Sequence, residues 1–273
     1  MSDHSEPDAA FYDANFAGSS DELTRAIRQA AFGDDIGQFS WTTASEHRGF
    51  QRRLGIDAGS SVLDVASGSG GPALFLVRST GCRLVGVDVH AAGVASANAA
   101  AAVEGLGDRA LFQVHDVRRP LPFDTGSFDA IISIDSINHI FARQAMFAEW
   151  FRVLRPAGRV LYTDAVVVTG PLRRQEILAR SPSMGEFVFT PAGADEPLLR
   201  SAGFVDIGFD DVTENIVAVA GAWHAAREQR ARQLDEVEGV EANRAFQQFL
   251  HTVHLLATQG RLSRLAYSAR KPE

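Results

Sequence analysis

The chain has 273 residues, 45% of them hydrophobic and 22% charged, which describes one large globular α/β domain or one with a small appendage. Its formal charge of −8, with no segregated basic stripe, argues against a nucleic-acid substrate, and no apolar run approaches the ~18 residues of a membrane span. The acidic start Met1-Ser2-Asp3-His4-Ser5-Glu6-Pro7-Asp8 is unlike a secretory leader, and Cys82, the sole cysteine, excludes an internal disulfide, so a cytoplasmic protein with a core thiol is expected.

Residues 1–8 read as a disordered tail. Residues 9–56 read as a helical N-terminal segment. Ala9 to Phe16 sets Phe11, Tyr12 and Phe16 among alanines, and a second helix runs from the cap candidate Ser20 to Phe32 with Leu23, Ile27, Ala30 and Ala31 on one face. A glycine-bearing aromatic loop, Phe32 to Trp41, leads into a helix from Thr43 to about Leu54.

From residue 57 to 165 strands and helices alternate. Val62-Leu63-Asp64-Val65 is an apolar run with an acid in it that stops at Gly68 and Gly70 and turns into a helix with Pro72 in its first turn, where a missing N–H costs nothing. The glycines admit a ligand close to the backbone, and the helix start offers free N–H groups. Arg83 to Asp88 is the second strand, Ala91 to Glu104 an alanine-rich helix, and Ala110 to His115 a third strand closed by Asp116. Phe128 to Ile134 is the fourth strand. Ser133 to Ile140 forms a loop, and Ala142 to Leu154 a helix whose Phe147, Trp150, Phe151 and Leu154 are core. Arg159 to Asp164 is the fifth strand. This alternation predicts a parallel sheet with ligands gathered at the carboxyl ends of its strands, where Gly68, Asp88 and Asp116 fall.

Residues 166–200 read as an insertion with a helix near Pro171 to Arg180, a turn at Met184-Gly185 and a helical Pro191 to Ser201. Residues 201–273 complete the sheet through a strand at Phe204 to Phe209, a long amphipathic stretch from Thr213 to Leu234, a helix from Glu241 to Ala257 and a last strand, Arg261 to Ala269.

Asp64 decides which nucleotide the glycine turn serves. A carboxylate in the turn's own strand repels a pyrophosphate but welcomes a cation, and S-adenosyl-L-methionine (SAM) carries a sulfonium and an ammonium. Asp88, about twenty residues beyond the glycines, stands where a carboxylate takes ribose hydroxyls in either case. Asp116 can accept from an adenine amino group, with the Val117 N–H beside it.

Asp64 through Gly70, Asp88, Asp116, Leu121-Pro122-Phe123 before Ser127-Phe128-Asp129-Ala130, and Arg155-Pro156-Ala157-Gly158, in this order and spacing, resemble class I SAM-dependent methyltransferases. Within them the chain looks most like the small-molecule branch that includes sarcosine/dimethylglycine N-methyltransferases and the sugar O-methyltransferase of rebeccamycin biosynthesis. Ala66-Ser67 departs from the common Gly-Cys, a change expected to affect packing more than chemistry.

The resemblance implies a Rossmann-like α/β fold: a seven-stranded, mostly parallel sheet with helices on both faces, the last strand antiparallel beside the fifth, and a helical lid and roof over an acceptor site. It implies a cofactor site of Asp64, Ala66, Gly68, Gly70, Asp88, Val89, Asp116, Val117 and Ser133. Gln38, with Phe39 and Trp41, either covers the site from the lid or seals the helices onto the sheet.

Methyl transfer to a hydroxyl needs a base. His139 in the fourth-strand loop, with Asp164 at the same edge to orient its ring, is the candidate pair, and the resemblance points the same way. The expected acceptor is a small molecule, a hydroxyl of a natural product or sugar, with a small amine as the alternative. A NAD-dependent oxidoreductase or a SAM-binding protein without turnover is the further alternative. His251 and His254 lack a third ligand, so no metal is expected, and Ser67 and Ser69 lack the spacing of a nucleophile elbow. No nucleic-acid or membrane partner is expected; the long helices could form a homodimer face.

Overall fold

The computed structural model describes residues 12–13, 15–16, 21–180 and 187–273. The expected tail 1–8, most of the 9–16 helix, the Ser20 cap and the Met184-Gly185 turn lie outside them. Helix α1 is Glu22–Phe32 and α2 Ala44–Leu54, where Thr43 Oγ1 accepts from the Glu46 N–H and Gly55 closes the helix in the left-handed conformation. Strand β1 (Ser61–Val65), α3 (Gly71–Thr80), β2 (Arg83–Asp88), α4 (Ala91–Val103) and β3 (Ala110–Val114) make the first half of the sheet. There follow β4 (Phe128–Ser133), a 3-10 turn over Ile137–His139, α5 (Arg143–Val153) and β5 (Leu154–Val168). Next come α6 (Arg174–Arg180), the two-residue β6 (Thr190–Pro191), α7 (Asp195–Ala202), β7 (Val205–Asp211), α8 (Thr213–Glu228), α9 (Ala231–Val237), α10 (Val240–Thr258) and β8 (Leu262–Arg270).

The sheet runs β3-β2-β1-β4-β5-β8-β7, with β6 added beside β5. β3, β2, β1, β4 and β5 are parallel, while β8 lies antiparallel between β5 and β7. Alternation along the strands splits the core into two layers. Leu63, Val65, Ile131 and Val160 pack with Phe147 and Trp150 of α5, and Val62, Ala130, Ile132 and Leu161 pack with α2, α3 and Ala97 and Ala101 of α4. A third cluster joins α1, α8 and α10 over Trp41 and Ala165 and roofs the carboxyl edge. No described helix is long and apolar enough to cross a membrane.

Two sequence expectations change here. The stretch 213–234 is not one helix, because it breaks at Gln229 and Arg230 between α8 and α9. The fifth strand, expected over Arg159 to Asp164, runs from Leu154 to Val168. Its pairing with β8 slips between Asp164 and Val167, a bulge that sets Ala165 and Val166 opposite Arg264 and puts Ala165 on the cavity wall.

Candidate active site

A cavity of ≈ 430 Å³ opens at the carboxyl ends of β1, β2, β3 and β4. One half is built by the backbone of the first turn. Ser67 N–H donates to Val87 O and Gly70 N–H to Ser67 O, which folds the turn back onto β2. Gly68 adopts φ +55° on the cavity wall, where a Cβ would come within 3.2 Å of the Phe16 ring. Gly70, at φ +77°, is the N-cap of α3, and a Cβ there would meet Ala97 at 2.7 Å. Gly70 is therefore structural: it lets α3 start against α4 and does not itself line the cavity.

Asp88 closes the same turn, accepting the Gly68 N–H on one carboxylate oxygen and the His90 N–H on the other, both at 2.8 Å. A carboxylate accepts about four hydrogen bonds, so capacity remains for ribose hydroxyls. Burial raises its pKa above the usual carboxylate range. Asp64 faces the cavity with no ion pair among the described residues, and burial, then the charge of Asp88, pushes it up to about 8. A buried carboxylate without a counterion at a glycine cradle fits a cationic nucleoside and opposes a pyrophosphate. Val89, Asp116 and Val117 also line this half. The Asp116 carboxylate is gripped by Arg118 at 2.8 and 3.0 Å, which holds its pKa low.

Ala66 lines the cavity at φ +61°. The departure from glycine thus changes more than packing, because a side chain is held in the left-handed region, a strain of roughly 1–2 kcal/mol. Ser133 lies on β4 and does not line the cavity: it is fully buried and its hydroxyl donates to Val65 O, tying β4 to β1. Gln38 does not reach the cavity either. Its side chain accepts the Ile36 N–H and donates to Asp34 O, stapling its own loop, while Gly37, Phe39 and Trp41 supply the wall.

The other half of the cavity is made of side chains from distant elements. His139, at the end of the 3-10 turn, bonds Tyr12 through Nε2 at 3.0 Å and lies 4.8 Å from the Phe187 ring centroid. Phe39, Trp41, Trp223, Phe246 and Phe249 continue the wall. The expected orientation of His139 by Asp164 is not what the structure shows. Asp164 is buried away from the cavity and accepts from Arg143 at 2.8 Å, and Arg143 also grips Asp195 of α7. A buried guanidinium outcompetes an imidazole for a buried carboxylate because it is always charged.

A second network holds the lid. Asp135, at φ +53° after β4, takes Arg264 Nε at 2.8 Å, Thr163 Oγ1 at 2.7 Å and the Trp41 N–H at 2.9 Å, and Arg264 also binds Glu46 of α2. Sequence reasoning passed over Arg180, at the end of α6. It lines the cavity fully buried, donates to Ala165 O at 3.1 Å, and lies 5.5 and 5.1 Å from the Phe187 and Phe249 ring centroids. Nothing local in the sequence separates Arg180 from Arg174 at the other end of its helix; only the fold buries it. Among the described residues no three His, Cys, Asp or Glu side chains form a metal cluster, and His254 Nδ1 instead meets Val217 O.

Sheet order, glycine turn and strand-end acids define a nucleoside-binding α/β transferase fold, and residues 62–158 match the family described as a methyltransferase domain. That stretch of the chain is a SAM-dependent methyltransferase domain, whose cofactor is S-adenosyl-L-methionine. The chain is similar to methyltransferase GfsG of Streptomyces halstedii, 41% identical over 115 residues that span 42% of this chain and 41% of GfsG. A match to the 27-O-demethylrifamycin SV methyltransferase of Amycolatopsis mediterranei is 26% identical and covers 81% of this chain and 80% of that one. The solved phosphoethanolamine N-methyltransferase 2 of Haemonchus contortus, in complex with SAM, shares the fold with TM-score 0.79 at 21% identity, covering 96% of this chain and 60% of that chain.

Proposed function

We propose that this chain transfers a methyl group to a hydroxyl of a small-molecule natural product, with His139 as general base. When bound, SAM supplies a methyl group activated by the positive charge on sulfur. The glycine turn, Asp88 and Asp64 hold the nucleoside end and match its charge. The aromatic wall positions the acceptor and excludes water; such positioning is worth roughly 7–11 kcal/mol of barrier.

The observation that carries the reading is His139 on the cavity wall with Nε2 bonded to Tyr12. Burial raises the Tyr12 pKa far above its ordinary value, so its hydroxyl stays neutral, and in the tautomer with the ring proton on Nδ1 that O–H donates to the basic lone pair on Nε2. An acceptor hydroxyl that displaces the Tyr12 hydroxyl there can hand its proton to that nitrogen. The rifamycin relative, named for an O-demethylated substrate, supports an oxygen acceptor.

A screen of hydroxyl and amine acceptors with labelled SAM identifies the product. His139→Ala is then expected to lower kcat at least tenfold, within the ~10²- to 10⁴-fold range of a positioned base, with SAM affinity changed less than about threefold. Unchanged turnover would remove His139 from the mechanism and point to an amine acceptor, which needs no base.

A further inference from the structure

We infer that Arg180 is an anchor for an acidic group, carboxylate or phosphate, on an otherwise apolar ring-bearing acceptor. The inference rests on the reading of this cavity as a methyltransferase site and names the class of molecule that enters it.

Among the described residues Arg180 is the one buried arginine or lysine on the cavity wall, beside Phe187 and Phe249. A guanidinium carries five N–H donors. One is used on Ala165 O; Nε has no acceptor, but neither has Arg143 Nε nor one Arg264 nitrogen, so what sets Arg180 apart is the partner of its guanidinium. The fold's other buried arginines show how it treats such a group when the role is structural. Arg143 holds Asp164 and Asp195, each at 2.8 Å, and Arg264 holds Glu46 at 2.6 Å and Asp135 at 2.8 Å. Arg180 has no carboxylate partner among the described residues.

The acids whose charge acts on it, Asp164 and Asp135, are already bound to those two arginines and do not compensate its burial. Burial pushes Arg180 down to about 10 despite their fields, whereas the paired Arg143 and Arg264 are raised. Two aromatic rings beside the guanidinium supply a cation–π contact, which steadies the charge but leaves the in-plane N–H donors unspent. Those donors match two parallel oxygens of a carboxylate or phosphate.

The geometry also gives the anchor a use. The Phe187 ring centroid lies 4.8 Å from that of His139 and 5.5 Å from the Arg180 guanidinium carbon, so both polar groups border one ring of the wall. An acceptor held by its acid on Arg180 stands beside the base. The backbone supports the arrangement, since the Val188 N–H donates to Asn138 O at 2.7 Å and pins the Phe187 segment to the His139 turn.

The test is calorimetric titration of the protein loaded with S-adenosylhomocysteine, using 2-naphthoate, 2-naphthyl phosphate and the neutral 2-naphthamide. At least one anion is expected to bind about tenfold or more tightly than the amide, and the two anions separate carboxylate from phosphate recognition. Arg180→Met should bring all three probes within about twofold, and Arg180→Lys, which keeps the charge, should retain part of the preference. S-adenosylhomocysteine affinity should stay within about threefold in both variants. An amide that binds as well as either anion, no binding of the anions at millimolar concentration, or an anion preference that survives Arg180→Met would overturn the anchor. Failure of S-adenosylhomocysteine to bind the wild-type chain would instead sink the cofactor reading, and the same probes titrated into unloaded protein would still decide the role of Arg180.

Discussion

The two halves of the cavity are made in different ways. The cofactor half is backbone: a turn between adjacent elements, pinned by N–H groups and by the Asp88 carboxylate, with Asp64 facing the cavity beside it. The acceptor half is side chains gathered from positions as far apart as Tyr12 and Phe249. A site built from contiguous backbone tolerates little change and binds one constant molecule. A site built from convergent side chains can be altered one residue at a time, which suits the partner that differs between relatives.

The sharpest way to break that comparison is to cut the network between the halves. Arg264→Met leaves Asp135 and Glu46 buried without their cation, which should cost about 3–5 kcal/mol in urea unfolding. A loss below about 1 kcal/mol would show that the lid does not depend on this network. A smaller effect is expected on the backbone side. With its folded pKa raised to about 8, Asp64 holds a proton through neutral pH. Its unfavourable ionisation weakens the unliganded fold as pH rises from the unfolded carboxylate range toward 8, and a bound cation reverses that shift. SAM binding at pH 7, titrated in buffers of different ionisation enthalpy, should therefore release about one proton, and Asp64→Asn should abolish the release. Equal release in both proteins would assign the proton elsewhere. The smallest change is Ala66→Gly, which relieves the left-handed alanine and should add up to about 1 kcal/mol of stability, seen as a higher Tm. A fall in Tm would mean that the Ala66 methyl contributes packing that outweighs its strain.

Legibility in the sequence follows the same division. The order of strands, the turn at Gly68, and the acids Asp64, Asp88 and Asp116 are local signals, each carried by a few neighbouring residues, and the structure brings them to one edge. His139 was legible because the loop after the fourth strand opens on that edge. Its proposed partner was not, because the choice between His139 and Arg143 for Asp164 depends on a helix surface and on Asp195, 52 residues beyond Arg143. Ser133 and Gln38 fall beside the site in sequence, yet point into the protein to satisfy backbone groups. Arg180 and the Trp223, Phe246 and Phe249 wall carry no local mark at all; helical spacing shows that these aromatics are buried but not against what.

The bulge that sets Ala165 and Val166 opposite Arg264 has a consequence for redesign. Because the extra residue is absorbed within β5, the strand delivers one side chain to the acceptor wall and an acid to the interior, and pairing with β8 resumes on the far flank shifted by one residue. Grafting a longer or shorter roof between β5 and β7 should therefore leave the nucleoside cradle unperturbed, provided the graft keeps a carboxylate for Arg143 where Asp195 now stands.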